Sequence, residues 1–228
     1  MKNKIKYFIK VLLRKELVSK VQVNVPVQWY GNKNAGFYIY SKYLDNNSIV
    51  YSFGVGEDIS FDLQLINSFQ CKVFGFDPTP KSVNFIKKNN NLPSQYYFIP
   101  IAIFNYDGIV NLKLPENPNY VSCKISNESD KNNIIEVPCK KFSTIVKELE
   151  HRKIDILKMD IEGAEYDVLD DILKSEILIE QILVEFHHRF PELGINKTKD
   201  AIKKLNKYGY KIAAISGSRE EYTFIKTI

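Results

Sequence analysis

Cysteine, glycine and proline are all sparse in this sequence of 228 residues. With 10 glycines, 9 prolines and 44% hydrophobic residues, the composition excludes a collagen-like or disordered chain and favours one globular domain. The three cysteines have no CxxC spacing and leave one unpaired, so they predict neither a disulfide framework nor a cysteine-based zinc site, and they favour a reducing compartment. No apolar run approaches the roughly 18 residues that a membrane-spanning helix needs.

Positive charge is concentrated at the N-terminus. Seven of the 32 basic residues but only one of the 27 acidic residues lie in the first 20 positions. That segment therefore has a net charge of +6, whereas the other 208 residues have a net charge of −1. A neutral body without a basic stripe of interleaved aromatic residues argues against a nucleic-acid partner.

The same N-terminal segment is predicted to be a basic amphipathic helix over residues 1–20. Its apolar side chains recur at helical spacing, at Ile5, Phe8, Ile9, Leu12 and Leu13. Such a helix can contact an anionic membrane surface peripherally, or pack on its own domain with a solvated lysine face, and both interpretations stay open. Because Lys10 interrupts the apolar stretch and no small-residue cleavage site follows, we expect no secretory signal. The predicted location is cytoplasmic, with peripheral contact at the inner membrane face as a further hypothesis.

Apolar strands alternate with helices from residue 48 onward. Strands are predicted at 49–53, 72–76, 96–101, 154–159 and 181–186, and helices at 59–69, 80–89, 142–150, 164–173 and 199–208. Residues 106–140 are predicted to form an antiparallel excursion, and residues 211–226 a hairpin that adds one antiparallel edge strand. Nearly continuous apolar strands indicate a parallel sheet covered on both faces. Residues 21–228 are therefore predicted to be one α/β domain with a Rossmann-like, doubly wound, mostly parallel seven-stranded sheet, the layout of class I methyltransferases.

Five landmarks fall at the ends of predicted strands, where a doubly wound sheet binds its ligand. They are Gly54-Val55-Gly56, Asp77, Ile101-Ala102, Asp160 and Glu185. Glycines allow the backbone to approach a ligand closely, and Asp77 can accept both hydroxyl hydrogens of a ribose. This combination favours a ligand that contains a nucleoside.

The residues after the glycines distinguish between two such ligands. A dinucleotide-binding fingerprint needs a third glycine at position 59, which is Ile59 here. Glu57 and Asp58 would repel a pyrophosphate, but they can accept hydrogen bonds from the α-ammonium group of a methionine moiety. This pattern favours S-adenosylmethionine over NAD. An NAD-dependent oxidoreductase and a non-enzymatic membrane-associated module on the same fold remain as alternatives.

Four stretches of the sequence carry a family resemblance: VYSFGVGEDISFD at 50–62, FDPTP at 76–80, LKMDIEGAE at 157–165 and LVEFH at 183–187. Together they resemble the FkbM family of S-adenosylmethionine-dependent methyltransferases, and the similarity covers residues 28–190. The resemblance implies O-methylation, a reaction of EC 2.1.1 type, on a hydroxyl of a sugar, glycan or small metabolite. The cofactor-binding residues it implies are Gly54, Val55, Gly56, Glu57, Asp58, Asp77, Pro78, Ala102 and Asp160. Ala102 is expected to hold the adenine edge. Glu162 and Glu165 begin a helix, where the macrodipole also stabilises carboxylates, so structural and functional roles stay open for both.

The predicted catalytic residues are His187, Asp160 and Glu185. Glu185 and His187 are two residues apart on a strand end, so their side chains share a face, and that face lies near Asp160 if the two strands are neighbours. His187 can act as a general base toward the acceptor hydroxyl. Alternatively, the three residues can hold Mg²⁺ or Mn²⁺, which lowers the pKa of the hydroxyl. A third interpretation makes His187 a structural residue.

Overall fold

A seven-stranded sheet forms the centre of the computed structural model, which describes residues 11, 16–115, 117, 123–125 and 133–227. In spatial order its strands are β12 (Tyr210–Ile215), β13 (Glu221–Lys226), β11 (Leu178–Glu185), β10 (Lys153–Met159), β3 (Ile49–Phe53), β4 (Lys72–Phe76) and β5 (Tyr96–Ile99). β13 is antiparallel to both of its neighbours, and the other pairs are parallel. This strand order, with crossovers on both sides of β3, gives the α/β class I methyltransferase fold predicted from the sequence.

Five helices connect these strands: α1 (Ser60–Phe69), α2 (Pro80–Lys88), α3 (Phe142–Glu148), α4 (Glu165–Lys174) and α5 (Gly194–Lys207). α2 begins where Pro80 fixes the backbone of the first turn and Thr79 accepts a hydrogen bond from the Ser82 amide. α1 buries Phe61, Leu65 and Ile66, because these residues lie on the stripe that faces the sheet. The apolar residues form separate buried clusters, as expected for a sheet covered on both faces.

Two smaller sheets accompany the central one. β1 (Gln28–Tyr30) and β2 (Phe37–Ile39) form an antiparallel pair. The predicted excursion at 106–140 contains β7 (Gly108–Lys113), β8 (Lys124–Ile125) and β9 (Ile134–Lys140), with β7 antiparallel to both partners. β6 (Ala102–Ile103) joins this sheet by pairing in parallel with β9.

The structure differs from the sequence prediction at two strand positions. The strand predicted at 96–101 ends at Ile99, because Pro100 has no amide hydrogen with which to continue the ladder, and residue 102 starts β6 in another sheet. The antiparallel strand was expected at the sheet edge, and this position was wrong: β13 lies between β11 and β12, so β12 is at the edge. Four consecutive buried residues, Tyr222 to Ile225, fit a strand with neighbours on both sides.

Only residues 11 and 16–20 of the predicted N-terminal helix are described, so the helix over residues 1–15 stays a prediction. Residues 16–20 are described and are not helical. Glu16 is buried: its Oε1 lies 2.9 Å from His188 Nε2, and its Oε2 accepts a hydrogen bond of 2.6 Å from Arg189 Nη2. This contact anchors the chain near the end of the N-terminal segment, so a truncation that tests membrane contact must end before residue 16. Within the described part of the chain, no helix combines the length and the apolar character that crossing a bilayer requires.

Replacing Glu16 by glutamine is expected to lower the free energy of unfolding by about 2 kcal/mol at pH 7, because a charge-assisted contact to Arg189 is lost. Burial opposes ionisation of Glu16, but the hydrogen bonds and charges of Arg189 and His188 lower its pKa below 4.5. A depressed folded-state pKa gives stability that is present above pH 4.5 and lost as the pH falls through the folded value. Urea unfolding between pH 7 and pH 3 should therefore show the difference between wild type and Glu16→Gln shrinking in acid. Glu148→Gln, which removes an exposed ion pair to Lys140, serves as the control, and an equal loss in both variants would contradict the assignment.

Candidate functional site

A cavity of about 350 Å³ lies at the carboxyl ends of β3, β4 and β10. This volume falls within the range of small-molecule sites. All nine residues predicted to bind a cofactor line this cavity: Gly54, Val55, Gly56, Glu57, Asp58, Asp77, Pro78, Ala102 and Asp160. The structure thus brings together residues that are up to 106 positions apart in the sequence.

Gly54 is required by its backbone surroundings. Its φ is +80°, and a Cβ atom here would lie 1.7 Å from the carbonyl oxygen of Asp160. Its amide donates to the Phe76 carbonyl at 3.0 Å, and its carbonyl accepts a hydrogen bond of 2.6 Å from Lys158 Nζ. The ends of β3, β4 and β10 therefore meet at this residue with no room for a side chain.

Asp77 fixes the glycine loop from the end of β4. Its Oδ2 accepts hydrogen bonds from the amides of Val55 and Gly56 at 3.0 and 2.9 Å, and its Oδ1 accepts from the amide and hydroxyl of Thr79 at 2.8 and 2.7 Å. A carboxylate has about four acceptor positions, so these bonds use all of them. To accept ribose hydroxyls as predicted, Asp77 must share or exchange some of these bonds.

The two acidic residues that follow the glycines differ in their surroundings. Asp58 accepts hydrogen bonds from Asn32 Nδ2 at 2.9 Å and from the Ser60 amide at 2.7 Å, one on each carboxylate oxygen. Burial raises the pKa of Asp58, but these bonds outweigh burial and lower it overall. Glu57 is exposed at the cavity rim. Asp58 therefore anchors the segment before β2 to the start of α1.

Several residues of the cavity wall were not predicted from the sequence. Leu112 and Ile125 come from the four-stranded sheet and Cys123 immediately precedes β8, and their spacing in the sequence gives no signal of a site. Asp62 and Lys158 also line the cavity, although both are almost fully buried. A lysine inside an apolar strand and an acid inside the buried face of a helix are signals that could have identified them.

The three predicted catalytic residues converge, together with two further carboxylates, around one imidazole. His187 Nδ1 lies 2.9 Å from Glu165 Oε1, while Nε2 lies 3.3 Å from Glu162 Oε2, 3.8 Å from Asp160 Oδ1 and 4.0 Å from Glu185 Oε1. Because an ionised carboxylate can only accept, Nδ1 carries the proton toward Glu165, and Nε2 faces the other three acids. Asp160 and Glu162 also line the cavity and so connect it to His187.

Glu165 is the most buried member of this group, at 1% exposure. The same Oε1 that contacts His187 accepts hydrogen bonds from the amides of Ile161 and Gly163, at 3.1 and 3.2 Å. Glu165 thus stabilises the turn that precedes α4 and at the same time fixes the orientation of the imidazole. The structural and functional interpretations of this residue are therefore compatible.

The carboxylates around His187 change the protonation of the group. Burial would lower the pKa of His187, but the hydrogen bond and charge of Glu165, with the charges of Glu162 and Asp160, raise it to about 10. Burial and the charge of Asp160 raise the pKa of Glu185 to about 8. Because both pKa values are raised, His187 and Glu185 keep their protons at neutral pH, and the net negative charge of the group is smaller.

Comparison with known proteins places this arrangement in a family. The model of the methyltransferase FkbM domain matches residues 32–212. The chain belongs to the FkbM methyltransferase family. The resemblance predicted from the sequence motifs is therefore confirmed, and the matched range extends beyond residue 190 through α5 into β12.

Relatives of this FkbM-family chain include two curated proteins named probable methyltransferase-like protein 24. The protein from Homo sapiens is 25% identical and the one from Rattus norvegicus 24% identical over 156 residues, which are 67% of this chain. The match spans only 36% of the length of either relative.

Solved structures that resemble the FkbM-family chain do so at low identity. A precorrin-6y C5,15-methyltransferase from Geobacter metallireducens has 11% identity and a TM-score of 0.43, with coverage of 81% of this chain and 82% of that one. An rRNA methylase from Streptococcus thermophilus has 10% identity and a TM-score of 0.46, with coverage of 82% and 92%.

Proposed function

We propose that this chain transfers a methyl group from S-adenosylmethionine to a hydroxyl of a sugar, a glycan or a small metabolite. The observation that carries the proposal is the convergence of all nine predicted cofactor-binding residues on one cavity. Membership of the FkbM family supports methyl transfer over the NAD-dependent alternative. The hydroxyl acceptor, the cytoplasmic location and a peripheral membrane contact are parts of the proposal that rest on the sequence.

The cavity residues fit this cofactor. Gly54 and Gly56 line the cavity without side chains, and Asp77 supplies a carboxylate for the ribose. Ala102, which begins β6 three residues after β5 ends, lines the cavity and is expected to hold the adenine edge. When bound, S-adenosylmethionine supplies a methyl group that its sulfonium has already activated. The protein therefore has to align the acceptor oxygen, exclude water and receive one proton.

His187 is the proposed proton acceptor, and Glu165 holds it in the required tautomer. With Nδ1 bonded to Glu165, Nε2 is the nitrogen directed at Asp160 and Glu162, which reach the cavity. A base must be neutral when it receives the proton, whereas His187 is protonated at neutral pH in the free site. The base role therefore requires that cationic or acceptor groups entering the cavity lower its pKa.

A divalent metal is the alternative use of the same side chains. Asp160, Glu185 and His187 each offer one ligand atom, and these atoms lie within 4.8 Å of one another. Two carboxylates and one imidazole suit Mn²⁺, and the carboxylates also suit Mg²⁺. His187 Nε2 cannot bind a metal and accept a proton at the same time, so the two roles are distinguishable by experiment.

Replacing Asp77 by alanine is expected to weaken binding of S-adenosylmethionine and S-adenosylhomocysteine by more than tenfold. The variant loses the ribose acceptor and also releases the Val55 and Gly56 amides that shape the loop. Titration calorimetry measures the change. Asp107→Ala is a matched control, because Asp107 also accepts hydrogen bonds from a backbone amide (Lys141) and a threonine hydroxyl (Thr144) but does not line the cavity. Affinity unchanged in Asp77→Ala would rule out the ribose assignment.

The acceptor class is tested by supplying labelled S-adenosylmethionine with panels of carbohydrates, hydroxylated metabolites and RNA. Transfer to a hydroxyl in the first two panels supports the proposal. RNA belongs in the experiment because the absence of a nucleic-acid acceptor is itself a prediction, and transfer to RNA alone would overturn it. Tight competitive binding of NAD without S-adenosylmethionine binding would favour the oxidoreductase.

A further inference from the structure

A row of polar groups crosses the apolar sheet directly beneath the glycine loop. Lys158 on β10 is in register with Ser52 on β3, and Ser52 is in register with Gly75 on β4. Residues in register on neighbouring parallel strands face the same side. Gly75 leaves space for the hydroxyl of Tyr96, which lies 2.5 Å from the position that a Cβ atom of residue 75 would occupy. Polar groups therefore extend under the loop from β10 toward β5.

Asp62 of α1 faces this row and is 2% exposed. Its Oδ1 has no partner at full hydrogen-bond geometry within the described residues, and the hydroxyls of Ser52 and Tyr96 interact with this carboxylate without reaching that geometry. Buried polar atoms are almost always paired, because an unpaired one loses its hydration without compensation. Of these three residues only Asp62 lines the cavity, so its carboxylate is the acceptor that a ligand entering the cavity can reach.

The charges of Lys158 and Asp62 indicate the chemistry of a ligand that would bind beside them. Lys158 has one of its donors bonded to the Gly54 carbonyl, and both Lys158 and Asp62 line the cavity. Burial raises the pKa of Asp62 to about 6, and the nearby Lys158 ammonium opposes the rise, so the carboxylate is mostly ionised at pH 7.5. An ionised, buried carboxylate with a free oxygen is an acceptor for a cationic donor.

We propose that Asp62 binds the α-ammonium group at the amino-acid end of the cofactor, an inference that rests on the proposed function. The sequence pattern predicted this role for Glu57 and Asp58. Each oxygen of Asp58 already accepts one hydrogen bond, from Asn32 or Ser60, which reduces its remaining acceptor capacity, and Glu57 is exposed, where water competes for the ammonium group. Asp62 has the free oxygen and the dry surroundings that make such a contact selective.

The experiment compares two ligands that differ at the amino-acid end. S-adenosylhomocysteine has the α-ammonium and α-carboxylate groups, whereas 5′-methylthioadenosine lacks both and keeps the adenosine. In calorimetry at pH 7.5, Asp62→Asn should weaken S-adenosylhomocysteine at least tenfold and leave 5′-methylthioadenosine within twofold of wild type. Binding of 5′-methylthioadenosine also shows that the variant cavity is folded. Asn is nearly isosteric and removes a buried charge, so the thermal midpoint should equal or exceed that of wild type.

Asp155→Asn is the matched control. Asp155 is also a buried aspartate, but it accepts a hydrogen bond from the Ile49 amide at the opposite end of the sheet, so both ligands should bind it as they bind wild type. Equal weakening of both ligands by Asp62→Asn would make Asp62 a structural residue and overturn the inference, as would unchanged affinity for S-adenosylhomocysteine. Failure of the wild-type protein to bind either ligand would instead overturn the proposed function and this inference with it.

Discussion

Gly54→Ala is expected to weaken S-adenosylhomocysteine binding by at least about 100-fold, which corresponds to ~2.7 kcal/mol. The added Cβ atom would lie 1.7 Å from the carbonyl oxygen of Asp160, and no side-chain rotation can relieve this contact because the backbone fixes both atoms. The left-handed φ of +80° adds a cost of about 1–2 kcal/mol for any residue with a Cβ atom. The end of β3 or of β10 must therefore move, and either movement displaces the cavity wall.

Calorimetry with S-adenosylhomocysteine measures this loss, and urea unfolding shows how much of it accompanies a change in stability. Gly217→Ala is the control, since a Cβ atom at that position meets no atom within 4 Å. The control should bind as wild type does. If Gly54→Ala bound within threefold of wild type, the loop would not be set by its contact with β10, and the assigned cavity geometry would be wrong.

Much of the fold was predictable because its strands are buried on both faces. The bounds of β3 and β4 follow directly from the apolar runs Ile49–Phe53 and Lys72–Phe76, which end at Gly54 and Asp77. The position of β13 was not predictable in this way. A hairpin pattern specifies which two strands pair, but not which of them also pairs with β11, because that choice depends on contacts with residues about 40 positions earlier in the sequence.

The site was predictable to the extent that it lies at strand ends. Parallel strands bring their carboxyl ends to one edge, which is why residues at 54, 77, 102 and 160 could be assigned together. Asp62 was missed because it lies inside a helix, where sequence patterning alone does not identify a ligand-binding side chain. The contact between Glu165 and His187 depends on the turn at Glu162 and Gly163, which both have positive φ. That turn sets the direction of α4, and its geometry is not evident from the spacing of the residues.

His187→Ala is expected to reduce methyl transfer by about 10²–10⁴-fold, the usual contribution of a positioned acid or base. Binding of S-adenosylhomocysteine should stay within about twofold of wild type, because His187 does not line the cavity. Turnover on an identified acceptor measures the loss of methyl transfer, and calorimetry measures the affinity for S-adenosylhomocysteine. His151→Gln is the control: His151 bonds to Tyr51 and precedes β10, so it lies at the opposite end of that strand from Asp160, and its replacement should leave transfer unchanged.

Glu165→Gln separates a positioning role from a structural one. The amide can still meet the Ile161 and Gly163 amides through its oxygen, but it carries no charge to hold Nδ1–H of His187. Turnover should fall with KM for the cofactor unchanged, whereas a purely structural role would change stability, turnover and KM together.

A chelator experiment then distinguishes proton acceptance by His187 Nε2 from metal binding by the same atom. Wild-type transfer that persists in chelator, and is lost in His187→Ala, assigns the proton to His187. Transfer that stops in chelator and returns with Mn²⁺ assigns the metal to Asp160, Glu185 and His187. Equal turnover of His187→Ala and wild type would contradict both roles and leave the imidazole as a structural residue that pairs with Glu165.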